Sequence, residues 1–170
     1  EVDLAVTAEP EKKEGVIYQQ LFSFKTVLIL PRVHPLANVD KITLEDVAQY
    51  PFVLPQNHKM TEYIFKQNKL ALKLKVEVGG LDLVKRFVES GIGLSIVSSI
   101  CLESTDNLVV KEFSDYFPSR DYGILLRRGR FLSPQVKSFM AILRSHEGLL
   151  KERLMRGHVI EQQPIFEVAG

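Results

Sequence analysis

The chain has little of several features that mark particular classes of protein. Its single cysteine, Cys101, excludes an internal disulfide and a zinc site built on cysteines, which favours a reducing compartment and therefore the cytoplasm. Its net charge of +1 gives no strong electrostatic footprint, so this segment alone is a poor candidate for wrapping nucleic acid. No apolar run reaches the roughly 18–20 residues of a membrane span, so no membrane contact is expected. The first residues lack the basic start and apolar core of a signal peptide.

What is present is the composition of an ordinary globular protein, with 45% hydrophobic and 25% charged residues. The 170 residues suffice for one compact domain, or for two small lobes on one polypeptide. There is no initiator methionine, and residues 2–6 already have the apolar pattern of a strand. We therefore expect the chain to be a fragment of a longer protein.

Strand and helix patterns alternate along the chain, which predicts an α/β fold. Apolar and β-branched segments predict strands at residues 2–6, 24–30, 52–54, 72–78, 94–97, 108–113 and 121–127. One helix is predicted to start at Thr43, where Asp46 completes a capping box. Another is predicted to start at Ser133, which precedes Pro134. A further helix is predicted after the turn that ends at Thr61, with Ile64 and Phe65 on its buried side and its end near Asn68.

The segment from Gly80 to Val97 carries the clearest pattern. Apolar residues recur on one face of a predicted helix, at Leu81, Val84, Phe87 and Val88. Gly91 ends this helix, because glycine adopts the left-handed conformation without a Cβ penalty. With strands on both sides, the segment is predicted to form a βαβ unit. Gly91 and Gly93 close a helix rather than open one, so they are interpreted as structural and not as a dinucleotide-binding fingerprint.

Residue types that serve catalysis or metal binding show no matching pattern. The histidines lack the spacing of metal ligands and are interpreted as surface or capping groups: His34, His58, His146 and His158. Cys101 has no neighbouring His or Lys in sequence and is interpreted as a packed residue. Ser95, Ser98 and Ser99 lack the nucleophile elbow, and Arg127, Arg128 and Arg130 form a solvated or interface patch. The sequence predicts no enzyme, no metal site and no cofactor.

The turn from Pro55 to Thr61 has a different character, because a strand ends there and a helix begins. Free backbone N–H groups at a helix N-terminus, with a lysine nearby, suit a carboxylate or an oxyanion. Polar side chains add to this turn at Gln56, Asn57, His58, Lys59 and Thr61. The alternative is that Asn57 and Thr61 only cap the helix.

Gly79 and Gly80 form a second junction between a strand and a helix. Glycine lets a ligand approach the backbone closely. Because ligands of α/β sheets gather at the carboxyl ends of strands, both junctions are candidates for one binding site.

Taken in order, five motifs resemble the effector-binding domain of LysR-type transcriptional regulators. They cover about residues 2–145, and the segments Ala48–Pro51 and 115–132 are similar to the CysB-like branch of that family. The motifs are Val2–Val6; Val27–Pro31 with His34–Ala37; Ile42–Ala48 with Pro51–Leu54; Leu83–Val97; and Leu125–Arg128 with Leu132–Pro134.

The resemblance implies a two-lobed fold like that of type 2 periplasmic binding proteins, with a small effector between the lobes. Lobe I then takes residues 1–21 and 117–148, lobe II takes residues 22–116, and residues 149–170 form a C-terminal extension. Lobe I is incomplete in this chain. The family's effector contacts fall on the strand end of lobe I at Thr7 and on two loops of lobe II, namely Pro55, Gln56, Asn57, His58, Lys59, Thr61, Gly79 and Gly80.

The resemblance further implies a cytoplasmic domain that senses a ligand and modulates DNA binding and transcription. Its expected partner is a small anion, a carboxylate or an acetylated amino acid. DNA is expected to bind only through an N-terminal helix-turn-helix that is missing from this chain, within a homodimer or homotetramer. The alternative is a periplasmic-type solute-binding protein of a transporter, which has the same lobes.

Overall fold

The computed structural model describes residues 3–10, 14–103, 105–129 and 131–156, with side-chain burial described up to residue 146. In these ranges strands and helices mix, which confirms the α/β class. The strands are β1 (Leu4–Ala8), β2 (Val16–Phe24), β3 (Thr26–Pro31), β4 (Phe52–Pro55), β5 (Leu74–Val78), β6 (Ser95–Ser98), β7 (Leu108–Glu112) and β8 (Arg120–Arg127). The helices are α1 (Leu44–Ala48), α2 (Lys59–Gln67), α3 (Leu81–Glu89) and α4 (Pro134–Arg156). No helix among the described residues is long and apolar enough to cross a membrane.

The chain divides into two compact units. The first unit comprises Glu1–Ser23 and Asp121–Gly170, and the second unit comprises Phe24–Arg120. The polypeptide therefore passes between the units twice, once at the last residue of β2 and once at the start of β8.

In the first unit, β8 lies between β1 and β2 in a three-stranded sheet. β1 and β8 are antiparallel, with Thr7 opposite Gly123. The backbone of β2 passes so close to β8 that a Cβ on Gly123 would lie 2.1 Å from the carbonyl oxygen of Gln19. Glycine is therefore required at position 123 by the close approach of two backbones.

In the second unit, β3 lies between β6 and β7 and is antiparallel to both. β4 and β5 form a parallel pair, and a parallel bridge between Phe52 and Leu94 joins this pair to β6. The predicted βαβ unit thus has β4 between its two strands, because β5 and β6 flank β4 rather than pair with each other.

Two apolar cores lie in the second unit, because alternate residues of β3 point to opposite faces of the sheet. Leu28 and Leu30 belong to the core that includes α1 and α2. Ile29 belongs to the core under α3, where Val84 and Val88 are fully buried. This confirms the predicted apolar face of α3, although Leu81 at its start is 38% exposed.

Three predicted helix boundaries are confirmed by their hydrogen bonds. After α3, Gly91 has a φ of +73°, and the N–H of Ile92 donates to the carbonyl of Phe87 at 3.0 Å, as in a Schellman motif. At α1, Thr43 and Asp46 form the expected capping box. At α4, the backbone N–H of Val136 donates to Ser133 Oγ at 3.3 Å.

Several predicted bounds are wrong. The first strand runs from Leu4 to Ala8 rather than from residue 2, which lies outside the described residues. β5 begins at Leu74 rather than at Leu72. Leu72 lies before the strand and packs against the core. β2 was not predicted, because its burial does not alternate regularly along the strand.

Candidate functional site

The candidate site is built on the parallel pair β4 and β5, whose carboxyl ends lie side by side. Pro55 is opposite Val78, and the N–H of Gln56 donates to the carbonyl of Val78 at 3.0 Å. α2 begins four residues after the end of β4, and α3 begins three residues after the end of β5. Two helix N-termini therefore start at the same edge of the sheet, which is where α/β sheets present free N–H groups to ligands.

The backbone of the turn is fixed in an uncommon conformation at Asn57. Its φ of +65° lies in the left-handed region, which asparagine tolerates better than most residues. The side chains of Gln56, Asn57 and Lys59 are exposed around it. The turn thus presents two amides and one ammonium group beside the start of α2.

The interpretation of Asn57 and Thr61 as helix caps is wrong. The N-cap of α2 is His58, and its side chain makes no cap hydrogen bond. Thr61 is the third residue of the helix and is only 6% exposed, so it is less accessible than the turn residues before it. The first turn of α2 therefore has no hydrogen bond from its N-cap side chain.

The side chain of His58 is also mostly enclosed, with 8% of it exposed. Its Nδ1 lies 3.1 Å from the carbonyl oxygen of Pro55. Glu62 Oε1 lies 3.1 Å from Nε2, and Glu77 Oε2 lies 3.4 Å from Nδ1. His58 thus stands at the N-cap position of α2, but its side chain makes no cap hydrogen bond and is not on the surface, since the ring is enclosed between α2 and β5.

Gly79 and Gly80 form the second part of the site. A Cβ on either glycine would meet nothing within 4 Å, in contrast to Gly123. Gly80 is the N-cap of α3 with an extended backbone, φ −154° and ψ 147°, that any residue adopts. Neither packing nor the backbone angles therefore require glycine at position 80.

Thr7 does not belong to the same unit as the other predicted site residues. It belongs to β1 of the first unit, where it is half-buried opposite Gly123. The other eight predicted site residues lie at the one sheet edge of the second unit, at the ends of β4 and β5 and the start of α2 and α3. Thr7 remains a prediction from the family resemblance.

The other histidine, cysteine and arginine residues considered in the sequence lie outside this site. His34 Nδ1 accepts a hydrogen bond from the N–H of Leu36 at 3.1 Å, and burial lowers the pKa of this ring. Burial raises the pKa of the half-buried Cys101 thiol. The described residues contain no group of three or more His, Cys, Asp or Glu side chains that fits a metal ion. Arg127 and Arg128 are exposed, while Arg130 and His158 lie outside the described residues.

Sequence reasoning missed an ion pair on α3. Lys85 is 7% exposed, and its Nζ lies 3.0 Å from Asp106 Oδ1. Burial alone lowers the pKa of Lys85, but the hydrogen bond and charge of Asp106, aided by Glu103 and Asp82, raise it overall. The pair ties α3 to the loop before β7. In the sequence, the one indication that Lys85 is buried is its position next to Val84, in a helix with an apolar face.

Comparison with protein families matches residues 1–148 to the model described as LysR substrate binding domain. Among curated relatives, the RuBisCO operon transcriptional regulator of Allochromatium vinosum is 28% identical over 90% of this chain and 53% of its own length. The HTH-type transcriptional activator CmpR of Synechocystis is 25% identical over 85% of this chain and 50% of its own length. CysB of Haemophilus influenzae is 26% identical over 86% of this chain and 47% of its own length. The chain thus spans about half the length of these relatives.

Solved structures with the same fold include three regulator domains. The effector-binding domain of QuiR in complex with shikimate has a TM-score of 0.75 and 20% identity, covering 86% of this chain and 72% of its own. The CcmR regulatory domain of Synechocystis in complex with 2-PG has a TM-score of 0.75 and 20% identity, with coverages of 84% and 72%. The cofactor-binding domain of Cbl has a TM-score of 0.75 and 20% identity, with coverages of 90% and 71%. These matches confirm the predicted type 2 periplasmic-binding-protein-like fold.

Proposed function

Because the chain belongs to the LysR substrate-binding domain family, as its resemblance predicted, we propose that it is the effector-sensing part of a transcriptional regulator. In this proposal a small anionic metabolite binds between two lobes and changes DNA binding of the whole regulator. The effector acts only through different affinities for two states of the protein, as linkage requires. The domain carries no catalytic role in this proposal.

One observation carries the proposal, namely the shared edge where β4 and β5 end. The N-termini of α2 and α3 both start there, and neither has a side-chain cap. Partial positive charge at two helix N-termini, together with Lys59, favours an anion. Turn 55–61 and the pair Gly79 and Gly80 are the proposed contacts of the second lobe, and Thr7 is the proposed contact of the first.

The two compact units support the proposed division into lobes. Lobe I takes residues 1–21 and 117–148, and lobe II takes residues 22–116, with residues 149–170 as an extension. The unit boundaries after Ser23 and after Arg120 lie within a few residues of this division.

The chemical class of the effector is proposed from the site and supported by the solved relatives. QuiR is complexed with shikimate, which carries a carboxylate, and CcmR is complexed with 2-PG. For this chain we propose an anion, a carboxylate or an acetylated amino acid. In the complete regulator, DNA is bound through a helix-turn-helix outside these 170 residues, within a cytoplasmic homodimer or homotetramer.

A thermal-shift screen tests the proposal. Sulfur oxyanions, small carboxylates and acetylated amino acids are added to the chain, and the midpoint of thermal unfolding is measured. A ligand at 100 times its Kd adds about 2.7 kcal/mol of stability, which raises Tm by about 5–10 °C for a protein of this size.

Two lysines of α2 supply the matched control. Lys59 and Lys66 are both exposed, but they lie at opposite ends of the helix. Lys59→Ala is expected to reduce the thermal shift, and Lys66→Ala is expected to leave it unchanged. Equal losses in both variants would indicate non-specific attraction of the anion, and no shift with any compound would contradict the proposal.

A further inference from the structure

The sheet edge that carries the candidate site has more acidic than basic side chains. Glu62 lies in the first turn of α2, Asp82 lies in the first turn of α3, and Glu77 is the fourth of the five residues of β5. The turn itself contributes one ammonium group, that of Lys59. Asp82 has a lysine partner, since Lys85 Nζ lies 3.9 Å from its Oδ1. Among the described residues, Glu62 and Glu77 form no ion pair with a lysine or an arginine.

These two carboxylates lie at the same side chain, the ring of His58. Glu77 Oε2 lies 3.4 Å from Nδ1, and Glu62 Oε1 lies 3.1 Å from Nε2. Within the described part of the chain the ring makes one hydrogen bond, in which Nδ1 donates to the carbonyl oxygen of Pro55 at 3.1 Å. A neutral ring suffices for this bond, so the bond gives His58 no positive charge to balance the two carboxylates.

Nε2 of His58 is a buried polar atom that has no hydrogen-bond partner among the described residues. In the neutral ring the proton is on Nδ1, so Nε2 is an acceptor. It faces the carboxylate oxygen of Glu62, which is an acceptor as well. A buried acceptor without a donor is unfavourable, and a group with several N–H donors at this point serves both acceptors.

The start of α2 has the opposite electrostatic preference. The backbone N–H groups at a helix N-terminus, with the ammonium group of Lys59 beside them, favour a negatively charged group. The turn thus combines positive charge from the backbone and Lys59 with negative charge from Glu62 and Glu77. A simple anion matches the positive part and is repelled by the two carboxylates.

We propose that the effector is a free amino acid, whose carboxylate binds at the start of α2 and whose ammonium group binds Glu62 and Glu77. This inference rests on the proposed function and narrows the carboxylates that it admits. Both glutamate side chains are accessible to a ligand, with 59% and 45% exposed. An ammonium group has three N–H donors, enough for the two carboxylates and Nε2 of His58. N-acetylation removes its charge and two of these donors, so acetylated amino acids are expected to bind more weakly.

Matched pairs of ligands test the proposal. The standard amino acids and their N-acetyl derivatives are compared by the thermal shift of the full chain, and isothermal titration calorimetry then gives the Kd of each pair that raises Tm. We expect at least one free amino acid to bind about tenfold or more tightly than its acetylated form, as for one hydrogen-bonded ion pair. Amide signals of Gln56 and Asn57 in nuclear magnetic resonance spectra are expected to move on binding.

Three variants test the place of the ammonium group. In Glu62→Gln and Glu77→Gln, the preference for the free over the acetylated amino acid is expected to fall several-fold, because one carboxylate is lost. Glu45→Gln is the matched control, since Glu45 is an exposed glutamate in the first turn of α1. It is expected to keep the full preference. The measured quantity is a ratio of two Kd values in one variant, so a general loss of stability does not change it.

The outcomes separate this inference from the proposed function. Acetylated amino acids that bind as tightly as the free ones would overturn the inference and leave the proposed function standing. So would a preference that both Glu62→Gln and Glu77→Gln leave intact. The same holds if neither form of any amino acid binds while another anion raises Tm. If no compound of either kind binds, both the inference and the proposed function are contradicted.

Discussion

The hydroxyl of Thr26 donates a hydrogen bond to the carbonyl of Pro118 at 2.8 Å. Thr26 lies two residues after the chain enters the second unit, and Pro118 lies two residues before the unit ends. The neighbouring Phe117 is buried and stacks against Phe113 at 5.8 Å between ring centroids. The bond therefore links the segment that enters the second unit to the segment that leaves it.

Removing this hydroxyl is expected to destabilise the protein. Thr26 is 8% exposed, so Thr26→Val keeps its volume but leaves the carbonyl of Pro118 without its donor. We expect Thr26→Val to lower the free energy of unfolding by about 1–2 kcal/mol. Thr26→Ser keeps the hydroxyl and is expected to retain most of the original stability. Urea denaturation followed by circular dichroism measures both. A Thr26→Val chain as stable as the original would show that the bond contributes nothing.

Gly91 is expected to tolerate no β-branched residue. Its φ of +73° lies in the left-handed region, but a Cβ would meet nothing within 4 Å. The cost of Gly91→Val is therefore conformational, about 1–2 kcal/mol, and Gly91→Asn is expected to cost less. Thermal unfolding of the two variants checks this order. An unchanged Tm for Gly91→Val would refute the assigned helix end.

Gly123 is expected to be intolerant for a different reason. The added Cβ of Gly123→Ala would overlap the backbone of Gln19, so β2 and β8 would have to separate. We expect a loss of about 2–3 kcal/mol or more. Gly79→Ala is the matched control, since the space around Gly79 is open. Equal stability of the two variants in urea would contradict the close approach of the strands.

The carboxyl group of Asp46 is expected to contribute to stability in a way that acid removes. Hydrogen bonds from the backbone and side chain of Thr43 lower the pKa of this carboxyl group. A lowered pKa in the folded state means that the contribution is present above about pH 4 and is lost as the pH falls through the folded value. Asp46→Asn is therefore expected to destabilise the chain at neutral pH and to have less effect near pH 2. Unfolding curves at both values test it, and equal losses at both would contradict the assignment.

The features that sequence predicted correctly are local ones. Gly91, the capping box at Thr43 and the N-cap at Ser133 each depend on neighbours within a few residues. The turn after β4 was predicted for the same reason, because a strand, a polar segment and a helix follow one another directly. The family motifs then predicted the fold in which these local elements are assembled.

The features that sequence missed depend on residues far apart in the chain. β2 is held by β8, which lies about a hundred residues later, and its polar Gln19 bonds to Arg144 at 2.7 Å. The burial of Lys85 depends on Asp106, in a loop that sequence gave no reason to place there. The enclosure of His58 likewise requires Glu77 on a neighbouring strand. Pairing over such distances leaves no periodic signal in the sequence.

The central claim is that an anionic effector binds at turn 55–61. The two ends of α2 allow a matched test, because each has an exposed lysine and a residue with positive φ: Lys59 with Asn57 (φ 65°), and Lys66 with Lys69 (φ 57°). Asn57→Gly with Lys59→Ala removes the turn side chains without straining the backbone. Lys69→Gly with Lys66→Ala makes the corresponding changes at the other end.

Isothermal titration calorimetry with the anion that gives the largest thermal shift is the most direct measurement. We expect a Kd at least about tenfold higher for the variant with both turn substitutions, equal to the loss of about 1.4 kcal/mol of binding free energy. We expect an unchanged Kd for the variant substituted at the far end of α2. Unchanged affinity in the turn variant, or equal losses in both, would contradict the claim.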